Sequence, residues 1–316
     1  MRSSSMLHRL NSRLSMPILH HVTGIVEGLH VSSGAGQSQD FLDLVPYSIG
    51  DDVSMIDWKS SARQGYPIIK RFERHTLATM IIIVDCGQHM AALAAPWHDD
   101  EVERGAPQTS KDHIGIELLE LFSYLALLRG DKVGIVAGHR GHITTHVARH
   151  GKEHIRRMSA DVQRLMSPHS PPGDLAALVH RARIVTTRPS IMIVLTDTAV
   201  PKPQVLDELK KLTVKHWVAV GTILDANPAT IPHADPTTQI TPDVCRGNTP
   251  FQHFALDRHL VEEIAHTQRD TVQSMMAAYK QAKIHHIPLA TQATLPNVLE
   301  RSFAKGHCAT YTGGGR

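Results

Sequence analysis

From Thr79 onward the chain alternates between short unbroken apolar runs and longer stretches whose apolar side chains recur every three or four residues. The runs TMIIIVD, KVGIVAG, SIMIVLTD and HWVAVGTIL suit strands of a parallel sheet, which are buried on both faces and so need no polar alternation. Between them, Ile114, Leu118, Leu121, Phe122 and Leu125 mark a helix from about Asp112 to Leu128, with Gly130 placed at its stop. Ile155, Met158, Val162 and Leu165 mark another. Leu175, Leu178, Val179 and Ala182 mark a further helix, with Asp174 in position to cap it. Leu206, Leu209 and Leu212 predict a short helix, and Leu260, Ile264, Met275 and Tyr279 a long one capped by Asp257. A strand near Ile287 and a helix with Leu295, Leu299 and Phe303 close the pattern. Strands alternating with helices predict an α/β fold built on a doubly wound, mostly parallel sheet.

The chain before Thr79 has a different texture. GAGQSQDFLDLVPYSIGDD alternates weakly and is punctuated by Gly34, Gly36, Pro46 and Gly50, which fits short strands and turns. A short helix near Ile56 to Arg63 and a strand in YPIIKRFE complete a small β-rich subdomain. The expected organisation is an N-terminal helix or tail over 1–27, this subdomain over 28–75, the α/β domain over 76–308 and a flexible tail over 309–316, ending in GGGR. The first residues are basic, Ser-rich and free of acid until Glu27, a composition that can mimic a transit peptide. Leu7, Leu10 and Leu14 on one face favour an amphipathic first helix instead.

Composition narrows the class. Hydrophobic residues make up 41% and charged residues 20%, ordinary globular values, while aromatics are only 4%, so the core must rest on aliphatic side chains. A net charge of +3 is too small to point to nucleic acid. Cys86, Cys245 and Cys308 are odd in number and far apart, which fits neither a zinc spacing nor a disulfide framework and favours a reducing compartment, the cytoplasm. No apolar run reaches the length of a membrane span.

Two strands end in a carboxylate, Asp85 and Asp197, and open α/β sheets bind ligands outside those strand ends. The pair can hold a divalent cation, or each can satisfy backbone amides of its own following loop; the pattern leaves both open. Among 23 histidines, the tract GHRGHITTHVARHGKEH carries His139, His142, His146, His150 and His154. On a helix, His150 and His154 would share a face and a metal, whereas His142 and His146 on a strand would stand too far apart. No His-Glu-x-x-His motif accompanies them, so exposed histidines are the expectation and a metal-dependent hydrolase the alternative. GAGQSQD lacks the lysine and following helix of a phosphate-binding loop.

The block YSIGDDVSMIDWKSSARQGYPIIKRFERHTLATMIIIVDCGQHM resembles the signature of the domain of unknown function fifty-eight family. That signature runs Gly-Asp-Asp, Ile-Asp-Trp, Ala-Arg, a basic strand, then an apolar strand ending in Asp-x-Ser-x-Ser-Met. The matching residues are Gly50, Asp51, Asp52, Ile56, Asp57, Trp58, Ala62, Arg63, Lys70, Arg71, Phe72, Glu73, Asp85 and Met90. Gly36, Phe41, Leu44 and Tyr47 upstream, and RGDKVGIV downstream, are also similar to the family.

The resemblance implies a von Willebrand factor A-like fold and a non-enzymatic adaptor role. The implied partners are a MoxR-type AAA+ ATPase and a client protein that it assembles or activates. The chain departs from the pattern where the family's metal-site serines fall, at Gly87 and His89, and near Gly173, where a threonine is usual. Val45 and Ser54 replace two family arginines. Asp85, Asp197 and Asp174 are then the remaining oxygen ligands, too few to make Mg²⁺ the expectation, and Asp85, His89 and Asp197 form a softer set suited to Mn²⁺ or Zn²⁺. The upper sheet edge around Asp85, His89, Gly173 and Asp197 is the expected partner surface, with or without an ion. Gly50, Asp51, Asp52, Asp57, Trp58 and Arg63 are a second candidate surface, or a structural cluster in which the aspartates pair with Lys59, Arg63, Lys70 or Arg71. An ion-independent scaffold is the remaining alternative.

Overall fold

The computed structural model describes residues 39–74, 78–94, 109–128, 130–226 and 258–289. His30–Leu77 forms one compact unit and the chain from Ala78 onward belongs to another. The sequence expectations for residues 1–27, for a cap at Asp257, for the helix at Leu295–Phe303, for the 309–316 tail and for Cys245 and Cys308 lie outside the described residues.

In the larger unit the central strand is β3 (Thr79–Asp85), the TMIIIVD run. Around it lie β6 (Lys132–His139), β7 (His142–Arg149), β8 (Ile191–Asp197), β9 (Trp217–Ile223) and β10 (His285–Leu289). Together they form a six-stranded sheet in the order β10-β9-β8-β3-β6-β7. All neighbours are parallel except β6 and β7, which pair antiparallel across the turn at Gly141. The sheet is therefore doubly wound and mostly parallel. The histidine tract supplies its antiparallel edge.

Six helices are described: α1 (Trp58–Gln64), α2 (Lys111–Leu128), α3 (Lys152–Leu165), α4 (Leu175–Val185), α5 (Pro203–Thr213) and α6 (Arg258–Gln281). The last five cover both faces of the six-stranded sheet, and this is why β3 shows no polar alternation. Ile82 and Val84 face a core with Leu118, Leu119 and Phe122 of α2 and Met158 and Val162 of α3. Their neighbours Ile81 and Ile83 point the other way, into a core with Leu178 and Ala182 of α4, Leu209 and Leu212 of α5, and Met275 and Tyr279 of α6. A period of two along one strand thus feeds two separate cores. The consequence for function is geometric: Asp85 and Asp197, the last residues of adjacent parallel strands, emerge at the same edge of the sheet.

In the smaller unit, β1 (Gln39–Pro46) pairs antiparallel with β2 (Ile68–Arg74), and α1 lies between them in sequence. The expected short helix is present, preceded by a 3-10 turn at Val53–Met55 and stopped by Gly65 in the left-handed conformation. Among the described residues, no helix is long and apolar enough to cross a membrane.

Candidate functional site at the strand ends

Asp85 is only 3% exposed at the end of β3. Its Oδ1 accepts the Gly87 amide at 3.0 Å and its Oδ2 accepts the Thr196 hydroxyl at 3.4 Å. A 3-10 turn at Gln88–Ala91 returns His89 onto it, with Nε2 3.4 Å from Asp85 Oδ2 and 3.9 Å from Asp197 Oδ2. Asp197 Oδ1 accepts the Ala199 amide at 3.2 Å. Its Oδ2 faces a residue that sequence reasoning missed, Lys111, at 3.8 Å.

Lys111 opens α2, yet its side chain is 1% exposed. Its Nζ donates to Asp225 Oδ1, and Thr198 Oγ1 donates to the other oxygen of Asp225. Asp225 follows β9 and is held by its backbone. It bridges Ala94, its neighbour Ala226 donates to the Leu93 carbonyl at 2.9 Å, and Gln268 of α6 donates to its own carbonyl at 2.9 Å. The site therefore contains three carboxylates and two basic groups, Lys111 and His89. Burial works against the His89 imidazolium, but the close approach of the Asp85 carboxylate and the charge of Asp197 outweigh it, with Lys111 opposing, and the pKa is raised. A raised histidine pKa stabilises the fold below the ordinary value, and that contribution is lost as the pH rises through the elevated one.

Two glycines close the remaining space. A Cβ on Gly173 would lie 2.4 and 2.7 Å from the Asp85 oxygens and 2.6 Å from His89 Cε1. A Cβ on Gly87 would lie 2.3 Å from the Gly173 nitrogen. The segment before Gly173 is pinned over the strand ends, because Pro171 and Pro172 accept from the amides of Gln88 and Arg140 at 3.2 and 2.9 Å. No hydroxyl-bearing side chain fits at either glycine. Asp174, expected as a possible ligand, spends its Oδ1 on the Ala177 amide at 3.2 Å and caps α4, its other expected role. A hard divalent cation needs about six oxygens. Here Asp85 and Asp197 are turned toward amides, a hydroxyl, an imidazole and an ammonium, and the residues present do not fit Mg²⁺. Among the described residues, no group of three or more His, Cys, Asp or Glu is arranged to hold a metal.

The histidine tract is likewise occupied by structure. Helix α3 begins at Lys152, so His150 precedes it and does not share a helical face with His154, and the helical alternative for the pair does not apply. His154 Nε2 faces the Val133 carbonyl at 3.0 Å and His146 Nε2 faces Asp161 Oδ2 at 2.7 Å. Burial lowers the His154 pKa, keeping that ring neutral against the carbonyl.

The signature aspartates of the small unit organise their own backbone. Asp51 Oδ2 accepts the Ser48 amide at 2.8 Å, Asp52 Oδ1 accepts the Ser54 amide at 2.9 Å, and Gly50 takes a positive φ of 108° between Ser48 and these turns. Asp57 caps α1 through the Lys59 amide at 3.1 Å and pairs with Lys70 at 3.4 Å. Arg63 is exposed in the last turn of α1, and Trp58 is 70% exposed. Replacing Asp57 by alanine is expected to lower the stability of this unit by about 1 kcal/mol, read as a lower urea midpoint.

With this geometry in view, the comparisons place the chain in a family. The family described as "Protein of unknown function DUF58" matches residues 43–246, more than half of the chain, and the chain belongs to it. Uncharacterized proteins of Mycobacterium tuberculosis and Mycobacterium bovis are 20% identical over 220 residues, covering 69% of this chain. The match spans 65% of the length of those relatives. Similar solved structures include an aerotolerance-related membrane protein of Bacteroides fragilis (14% identity, 72% of this chain and 99% of that one, TM-score 0.42). BatB of Bacteroides thetaiotaomicron (16%, 71% and 98%, TM-score 0.39) and a von Willebrand factor type A protein of Catenulispora acidiphila (11%, 75% and 44%, TM-score 0.36) are also similar. The chain's own fold is α/β, a doubly wound, mostly parallel sheet with its polar cluster at the strand ends.

Proposed function

We propose that the chain is a non-enzymatic, cytoplasmic protein-interaction module. Its working surface is the strand-end edge, and its partner is a MoxR-type AAA+ ATPase acting on a client protein. The observation that supports this best is how the charges at the edge are spent. Asp85, Asp197 and Asp225 meet His89, Lys111, Thr196 and Thr198, so the groups hold one another in place. The two hydroxyls of the cluster, Thr196 and Thr198, are buried and donate to the Asp85 and Asp225 carboxylates, which suits framework contacts more than accessible nucleophiles. The nearby thiol, Cys86, is buried and its pKa is pushed up to about 12, chiefly by burial and then by Asp85, so it is held protonated. A rigid polar platform of this kind suits recognition more than proton transfer.

Asp85 is too deeply buried to be a clean probe of the surface. Val200 is 46% exposed three residues beyond Asp197 and touches none of the cluster's hydrogen bonds, so it is the better one. Val200→Asp is expected to weaken capture of the ATPase at least about tenfold, a change of about 1.4 kcal/mol, with the melting temperature unchanged. Trp58, Ile49 and Val53 leave exposed apolar surface on the small unit. Loss of capture in Trp58→Ala with retention in Val200→Asp would move the interface there.

A further inference from the structure

We infer that Lys111 is a built-in cation: its ammonium supplies, from within the chain, the positive charge that balances the strand-end carboxylates, and the site works independently of divalent ions. This inference concerns the edge assigned above but rests on its charge geometry, not on the identity of the partner.

Lys111 stands at the first position of an 18-residue helix. A positive charge there runs against the helix dipole, so the local helix does not favour it. The side chain is nevertheless buried to 1% exposure, and an ammonium withdrawn from water needs opposite charge beside it. Two carboxylates from different parts of the chain provide it. Asp197 ends β8, and Asp225 lies just past β9.

The backbone fixes both partners of the closer pair. The Lys111 amide donates to the Ala92 carbonyl at 2.8 Å. Two residues on, Ala94 bridges Asp225 itself. Lysine and carboxylate are thus fastened to the same three residues, Ala92 and the two of β4 (Leu93–Ala94), which pairs with β5 (Thr109–Ser110) immediately before α2. The pair is a framework element and not a chance contact between flexible side chains. Gly87 and Gly173 complete the arrangement by packing where ligating side chains would otherwise enter.

The chemistry differs from that of an ion in one respect that matters for binding. A divalent cation can take a carboxylate from a partner as an additional ligand. The Lys111 ammonium is spent on this chain's own carboxylates and has no comparable open position. A partner that docks here meets a pre-formed, closed cluster whose state does not vary with ion supply.

The full-length protein is melted in excess EDTA, Mg²⁺ or Mn²⁺, together with Lys111→Met, Asp225→Asn and the double variant. The wild type is expected to melt at one temperature in all three conditions. Lys111→Met is expected to melt lower in all three conditions, since the packing at Gly87 and Gly173 leaves too few oxygens for an ion to replace the ammonium. The double variant is expected to lose less than the two single losses added together. A wild-type melting temperature raised by either ion overturns the inference. So does a Lys111→Met protein as stable as the wild type, or one whose loss adds in full to that of Asp225→Asn. If Lys111→Met does not fold, the wild-type comparison and the Asp225→Asn protein compared with the double variant still decide. None of these outcomes depends on recovering a partner, so failure here is separable from failure of the proposed interaction.

Discussion

Gly173→Ala is expected to destabilise the larger unit by about 2–4 kcal/mol, a large share of the total for a domain of this kind. Adding a methyl to a packed site normally costs about 1–3 kcal/mol in displaced neighbours. Here the neighbours are the Asp85 carboxylate, 2.4 and 2.7 Å from the new carbon, and the His89 ring at 2.6 Å. Asp85 cannot retreat without releasing the Gly87 amide and the Thr196 hydroxyl that it accepts from, and a released buried donor adds a desolvation cost of its own. The effect should be concentrated at the strand ends. Chemical denaturation of wild type and variant gives the loss directly, and the chemical shifts of His89 show whether the cluster has opened. A Gly173→Ala protein with wild-type stability and an unshifted His89 would mean that the segment over the strand ends is not packed as described.

Acidification is the second large effect. Two histidines outside the strand-end cluster are held neutral by their surroundings. His216 is 4% exposed, and burial, then the neighbouring Lys215 charge, lowers its pKa to about 4. His286 faces the Thr222 hydroxyl at 2.8 Å and stacks on Tyr279 at 5.0 Å, and burial, then His285, lowers its pKa to about 4 as well. The unfolded chain takes up protons at these positions near the ordinary value of 6.5, whereas the folded chain does not until about 4. The unfolded state therefore binds more protons throughout that window, and stability falls as the pH falls through it. Above the ordinary histidine value the two groups contribute no slope. Each is worth up to about 3 kcal/mol by the bottom of the window, so acid alone removes an amount comparable to the stability of a small domain. His89 acts in the opposite sense, since its raised pKa favours the folded state on the acid side. Urea denaturation at about pH 7.5 and about pH 4.5 is expected to show a marked acid loss, reduced in His216→Gln and in His286→Gln. Equal acid loss in both variants would place the titrating groups elsewhere.

The parts of this structure that follow from local periodicity were legible in the sequence. TMIIIVD and SIMIVLTD became β3 and β8 because a strand covered on both faces needs unbroken apolar character, and their terminal aspartates met at one edge. Asp174 capped α4 and Asp57 capped α1 through the short-range geometry that a cap requires. The Lys111–Asp225 pair was not legible in that way. Its partners are 114 residues apart, and no local rule couples the start of a helix to the residue after a distant strand. Two signals were nonetheless present: a lysine in the first turn of a helix, where the dipole disfavours it, and a third carboxylate two residues beyond a third apolar strand. The spacing of His150 and His154 left open whether they share a helical face; Gly151 takes a positive φ of 112° and the helix starts only after it, so they do not. The folding of the tract into an antiparallel edge strand likewise depends on pairing with β6, which spacing alone does not encode.

The proposed interaction joins the strand-end edge to a AAA+ ATPase. The most direct measurement is affinity capture of the tagged full-length chain from its native cells, with and without ATP and Mg²⁺, read by mass spectrometry alongside Val200→Asp. The expected result is recovery of a MoxR-type ATPase that changes with nucleotide and is lost in Val200→Asp while the variant remains folded. Recovery of the wild-type chain alone in every nucleotide condition would contradict it.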